Sequence, residues 1–153
     1  MHRLSGKILQ PFWRLMRGLT LGAQGMVLDE DNRVLLVRHG YRPGWHLPGG
    51  GVERGETVLE ALRRELQEEV GVELLAAPQL HGIFTNFTVF PGDHVTVYIV
   101  RDWRQTRTPR PGLEIREQKF VALDQLPDEL VEGARNRIVE HFEGVAVSAK
   151  WVE

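Results

Sequence analysis

Between residues 43 and 55 the chain reads Pro-Gly-Trp-His-Leu-Pro-Gly-Gly-Gly-Val-Glu-Arg-Gly, five glycines and two prolines in one short stretch. Glycine's backbone freedom and proline's fixed φ force an irregular loop there. A helix over 57–70 follows at once. Thr57 and Glu60 form a Thr-x-x-Glu capping box at its start, and Gly71 suits its end. The most constrained part of the chain is therefore a glycine-rich loop feeding a firmly bounded helix.

Around this unit the pattern is that of strands. Residues 19–28 and 33–38 read as two strands of a β-hairpin, joined by the turn Asp29-Glu30-Asp31-Asn32. Further strands are expected over 72–84, 94–102 and 117–123, with breaks at Pro91-Gly92 and at 109–112. A last amphipathic helix is expected over 128–142, with Leu130, Val131, Ala134, Ile138 and Phe142 on one side. Helices interspersed with strands predict an α/β fold in which helices cover a sheet. No repeat or low-complexity segment divides the 153 residues, a length that suits one domain over 19–153.

Composition excludes several function classes. With 19 Lys and Arg against 21 Asp and Glu, the net charge of −2 gives no reason to expect stable nucleic-acid binding. The absence of cysteine removes disulfides, thiolate metal sites and a cysteine nucleophile, and agrees with a cytoplasmic location. No apolar run is long enough for a membrane span. Residues 1–18 form an apolar and basic arm. It carries Arg3, Lys7, Arg14 and Arg17 with no acid, interleaved with Ile8, Leu9, Phe12, Trp13, Leu15 and Met16. Such an arm is expected to pack on its own domain or in a homodimer.

On a wheel at about 100° per residue, Glu65, Glu68 and Glu69 share one arc of the 57–70 helix. An apolar stripe of Leu59, Leu62, Leu66 and Val70 lies beside them, and Arg64 borders the other edge. For stability alone this is a poor choice. Glu65 and Glu69 are like charges at i, i+4, which costs about 0.2–0.5 kcal/mol, and the macrodipole disfavours acids near a helix C-terminus by roughly 0.3–1 kcal/mol each. Clustered hard oxygen ligands are what Mg2+ selects. A solvated acidic face is the plainer reading of the helix taken by itself.

The longer string decides between them. Gly50, five residues, Glu56, seven residues, and then Arg64-Glu65-Leu66-Gln67-Glu68-Glu69-Val70-Gly71-Val72 resembles the Nudix box, G-x5-E-x7-R-E-U-x-E-E-x-G-U, at every defined position. At roughly 7% usage per residue, seven fixed positions coincide by chance with a probability on the order of 10⁻⁸. The resemblance implies a Nudix-type α/β/α sandwich, a mixed sheet flanked by helices. It implies an enzyme that uses Mg2+, with Mn2+ as substitute, to cleave the phosphoanhydride of a nucleoside diphosphate linked to another moiety X. It further implies metal ligation by Glu65, Glu68 and Glu69 with the Gly50 carbonyl, and a structural clamp between Glu56 and Arg64. Glu68 is then the expected metal-bridging ligand and Glu65 the expected base within the box; Glu114 and Glu117 are the candidates for a base outside it.

Substrate contacts are sought among Arg38, His39, Tyr41, Arg42, Trp45 and His46 before the box, with Arg38 and Trp45 ranked first, and among Phe84, Asn86 and Phe87 after it. The alternative is a Nudix-like domain that binds a nucleotide without cleaving it and regulates a partner. The complete set of glutamates argues against it. A Nudix-related isomerase would want a cysteine, which the chain lacks.

Overall fold

Strands β1 (Thr20–Val27) and β2 (Val34–His39) send alternate apolar side chains to two different cores, so each must be covered on both faces. In this computed structural model, which describes residues 18–112 and 114–153, that covering comes from two helices. Leu62, Leu66 and Val70 of α1 (Val58–Val70) bury against Ala23, Val27, Leu35 and Val37 on one face. Ala134 and Ile138 of α2 (Glu132–Glu143) bury against Met26, Leu36 and Val97 on the other. The result is an α/β/α sandwich. Among the described residues no helix is long and apolar enough to cross a membrane.

The remaining strands are β3 (Trp45–His46), β4 (Gly49–Gly51), β5 (Val72–Leu74), β6 (Gln79–Thr85), β7 (Asp93–Val100), β8 (Trp103–Gln105) and β9 (Ile115–Val121). One sheet is mixed, in the order β4-β1-β7-β6. Only β1 and β7 run parallel in it, in register from Thr20↔Asp93 to Val27↔Val100. A second sheet, β3-β2-β9, is antiparallel, and β5 pairs with β8.

Four expectations need correction here. The turn at Asp29–Asn32 reverses the chain, and the Asp29 carboxylate accepts from the Asp31 and Arg33 amides, but no hairpin ladder follows. Only Leu28↔Val34 is bridged, because β1 pairs with β4 and β7 while β2 pairs with β3 and β9. The glycine-rich stretch is not wholly irregular. Gly49–Gly51 pairs with β1, and Trp45–His46 pairs with β2. The span 72–84 is two strands, not one, interrupted before Pro78, and the last helix begins at Glu132, after a turn that follows Pro127.

The helix limits agree with the sequence reading. The Thr57 hydroxyl accepts from the Glu60 amide, the Glu60 carboxylate accepts from the Thr57 amide, and Gly71 takes the left-handed conformation at φ 66°. At the other end of the molecule, Arg137 is wholly buried. It donates to both Glu140 oxygens (2.7 and 2.6 Å) and to the Lys150 carbonyl, and so ties the C-terminal segment to α2. Residues 1–17, and with them nearly all of the arm expected over 1–18, lie outside the described residues.

Candidate active site

The α1 apolar stripe that anchors the helix also fixes where its acids go. Leu62 and Leu66 press on Gly25 of β1, which turns the neighbouring Glu65–Glu69 edge toward the glycines of β4. Glu69 is 6% exposed, and its Oε2 accepts from the Gly49 amide at 2.9 Å. The Glu65 carboxylate occupies the space that a Cβ on Gly50 would need. With any other residue at position 50 this acid would have to swing away from β4.

Arg64 organises the loop before the helix. Its Nε and Nη2 donate to the two Glu56 oxygens at 2.8 and 3.0 Å, a bidentate pair, and Nη2 also donates to the Gly51 carbonyl at 3.0 Å. Its Nη1 donates to Glu65 Oε1 at 2.7 Å and stands 3.6 Å from Glu68. Glu56 in turn accepts from the Glu53 amide. These bonds, with the Arg64 pair foremost, pull the Glu56 carboxyl from its ordinary 4.5 down to about 2. A depressed carboxyl stabilises the fold above its unfolded pKa, and that contribution disappears as pH falls through its folded pKa. Urea midpoints should therefore fall between about pH 4.5 and pH 2 more steeply in the parent than in Glu56→Gln. Parallel curves for the two proteins would show that the pair contributes nothing.

Glu69 behaves in the opposite way. Burial raises its carboxyl to about 7; the charges of Glu65 and Glu114 add to the rise, while the Gly49 amide and Arg42 oppose it. Glu68 differs from both, with a side chain 63% exposed beside Arg64. Among the described residues no three acidic or imidazole groups converge at ligating distance. The donor set nevertheless suits a hard dication: two carboxylates face a glycine strand that leaves room for them, one of them is buried and raised, and a third is free to swing in.

Of the two downstream acids, Glu114 is the one whose charge reaches Glu69 and Tyr41. Glu117 is held by Arg38 across the β2–β9 ladder at 3.1 Å. Trp45 does not face a substrate space. It is 4% exposed in the α2-side core, flanked by the Lys119 ammonium at 4.2 Å and the Arg38 guanidinium at 5.5 Å from its ring centre. Its ring is thus packed in the core with those two cations beside it. Phe84 is also core, under the Arg137 guanidinium at 3.9 Å, whereas Phe87 is exposed.

The end of β2 and the loop after it bring together two of the residues sought before the box. Arg42 Nη2 donates to His39 Nε2 at 2.8 Å, and burial, followed by the charges of Arg42 and His46, lowers the His39 pKa to about 4. A neutral His39 accepting at Nε2 carries its proton on Nδ1 and orients the guanidinium. Arg116 on β9 faces the same space as Arg38 and Arg42. The alternation of β9 could have indicated Arg116, but a β-bulge opposite Arg38/His39 shifts its register.

The α/β/α sandwich thus presents a glycine strand to an acidic helix edge. The NUDIX domain model matches residues 18–142, and the chain belongs to that family. It is 43% identical over 77 residues to the uncharacterized Nudix hydrolase YvcI of Bacillus subtilis, a match covering 50% of this chain and 45% of that protein. It is 34% identical over 101 residues to an RNA pyrophosphohydrolase of Halorhodospira halophila, covering 66% and 46%. The chain thus spans about half the length of these two relatives. Among solved structures, a MutT NUDIX hydrolase from Burkholderia pseudomallei superposes with a TM-score of 0.67 at 27% identity, covering 78% of this chain and 95% of that one.

Proposed function

We propose that this chain is a Nudix pyrophosphohydrolase that cleaves the phosphoanhydride of a nucleoside diphosphate linked to a moiety X. The observation that carries the reading is the approach of Glu65 and Glu69 to the Gly49–Gly51 strand within a complete box. The names of the relatives, pyrophosphohydrolase among them, support the same class. Glu65, Glu68 and Glu69, with the Gly50 carbonyl, would hold Mg2+, or Mn2+ in its place. When bound, the ion neutralises phosphate charge and acidifies a water.

The chain's own groups do the rest. Arg64 keeps Glu65 aimed at the glycine strand and locks the loop through Glu56. Glu114, or Glu65 within the box, takes the proton of the attacking water. Arg38 and Arg42 draw the polyanionic substrate toward the site. In-line attack at one phosphorus breaks the P–O–P bridge and yields a nucleoside monophosphate and phosphorylated X. The reading places the enzyme in the cytoplasm, where nucleotides and Mg2+ meet, and the apolar, basic composition of residues 1–18 supports a homodimer.

The test is product release from a panel of nucleoside triphosphates, ADP-ribose, sugar nucleotides and dinucleoside polyphosphates, with Mg2+ and with EDTA. At least one compound should be turned over with Mg2+ and none with EDTA. Silence across the whole panel in Mg2+ and in Mn2+ would remove the hydrolase reading.

A further inference from the structure

Between the loop that follows β2, strand β9 and the segment before α2 lies a cavity of about 690 Å3. Arg38 at the end of β2, Arg42 in the following loop and Arg116 on β9 line it, with Glu129 and Val131 on the side toward α2. The charge of Arg42 bears on the Glu69 carboxylate of α1. Three guanidinium groups thus meet one cavity carboxylate.

Their pairing is incomplete. Arg38 shares its charge with Glu117 at 3.1 Å, both side chains being nearly half exposed. Arg42 is half-buried and is held by a neutral imidazole, not an acid, and its Nε is buried with no partner. Arg116 is exposed and enters none of the ion pairs among the described residues. A partly desolvated guanidinium without an acid is a poor arrangement for stability, and planar N–H forks match phosphate oxygens in particular. The volume lies within the roughly 300–1,000 Å3 of small-molecule sites, enough for a phosphate together with part of the sugar or nucleoside that bears it.

We propose that this cavity binds a phosphate of the substrate other than the two joined by the cleaved anhydride, so that Arg42 and Arg116 select compounds whose X carries further phosphate. The inference rests on the hydrolase reading above and narrows it to polyanionic substrates. The extra phosphate has two possible sources, a ribose substituent or a longer polyphosphate chain, and matched pairs separate them.

The full-length protein in Mg2+ is assayed on NADPH against NADH, and on diadenosine tetraphosphate against diadenosine diphosphate. In at least one pair, kcat/KM should favour the more phosphorylated member by about tenfold or more, the size of one good charge-assisted contact. A preference in the first pair assigns the ribose phosphate, and one in the second assigns the chain. Arg116→Gln, an exposed position, should reduce that preference to within about twofold. Turnover of both members of both pairs at equal kcat/KM overturns the cavity assignment and leaves the hydrolase reading standing, and so does a full preference retained in Arg116→Gln. If none of the four compounds is hydrolysed, the broader panel in Mg2+ and in Mn2+ decides the hydrolase reading, and calorimetry in EDTA decides the cavity alone. Adenosine 3′,5′-bisphosphate should then bind about tenfold more tightly than AMP, and equal affinities overturn the proposal.

Discussion

Glu68→Gln should lower kcat by about 10²- to 10³-fold, the range found when one preorganised electrostatic group is removed from a site, and should leave the fold untouched. The two halves of this expectation have separate origins. The side chain of Glu68 is 63% exposed and makes no contact closer than 3.6 Å to Arg64, so its loss removes almost no packing. Exposed substitutions of this kind stay within about 0.5 kcal/mol, or roughly 2 °C in Tm for a domain of this size. Its reach toward Glu65 and Glu69 is what catalysis would use. Steady-state kinetics at saturating Mg2+, read beside a thermal melt, checks both halves. A rate within threefold of the parent refutes the assignment of Glu68 as a metal ligand.

Gly49→Ala should be damaging for the opposite reason, through structure first. Gly49 sits at φ +145°, and a Cβ there would overlap the Ala23 carbonyl oxygen and lie 2.7 Å from Gln24 Cα, all of it backbone in the neighbouring strand. Neither side can yield without opening the β1–β4 ladder. Steric and conformational strain together predict a loss of about 3–5 kcal/mol, a fall in Tm on the order of 10 °C. Because the Gly49 amide also holds Glu69, the residual folded fraction should be impaired in activity as well. Gly51→Ala is the control, since a Cβ there meets nothing within 4 Å. Urea unfolding of both variants settles the matter: equal midpoints would show that β4 is not held as tightly as this contact requires.

What could be read from the amino acids follows the range of the forces involved. The limits of α1 were legible because Thr57, Glu60 and Gly71 act within one turn of their own positions. The inward edge of the helix was legible too, since the 3.6-residue period places Leu62 and Leu66 beside Glu65 and Glu69. The partners of β1 and β2 were not. Both strands are apolar on both faces, and nothing local tells Val34 whether to lie beside Leu28 alone or to continue a ladder. The pairing of Gly49–Gly51 was hidden for a similar reason: its ladder depends on β1, more than twenty residues away, and outweighs glycine's weak strand preference. Trp45 reads equally well as a stacking platform or as core. The contacts of its ring with Lys119 and its bridge to Leu130 decide for the core, and both come from distant parts of the chain. The cationic cavity was legible only in part, since Arg38 and Arg42 are local to β2 while Arg116 arrives from β9.

The parallel pairing of β1 with β7 also bears on how the chain must be made. Thr20 meets Asp93 across 73 residues, so the central strand of the mixed sheet stays without its longest partner until Val100 has been synthesised. At about 5–20 residues per second on a ribosome, that is a wait of several seconds during which Met26 and Val27 have no finished sheet to enter. Strand β1 therefore spends that interval with its apolar side chains unpaired, the condition under which nascent strands are prone to aggregate and chaperones act.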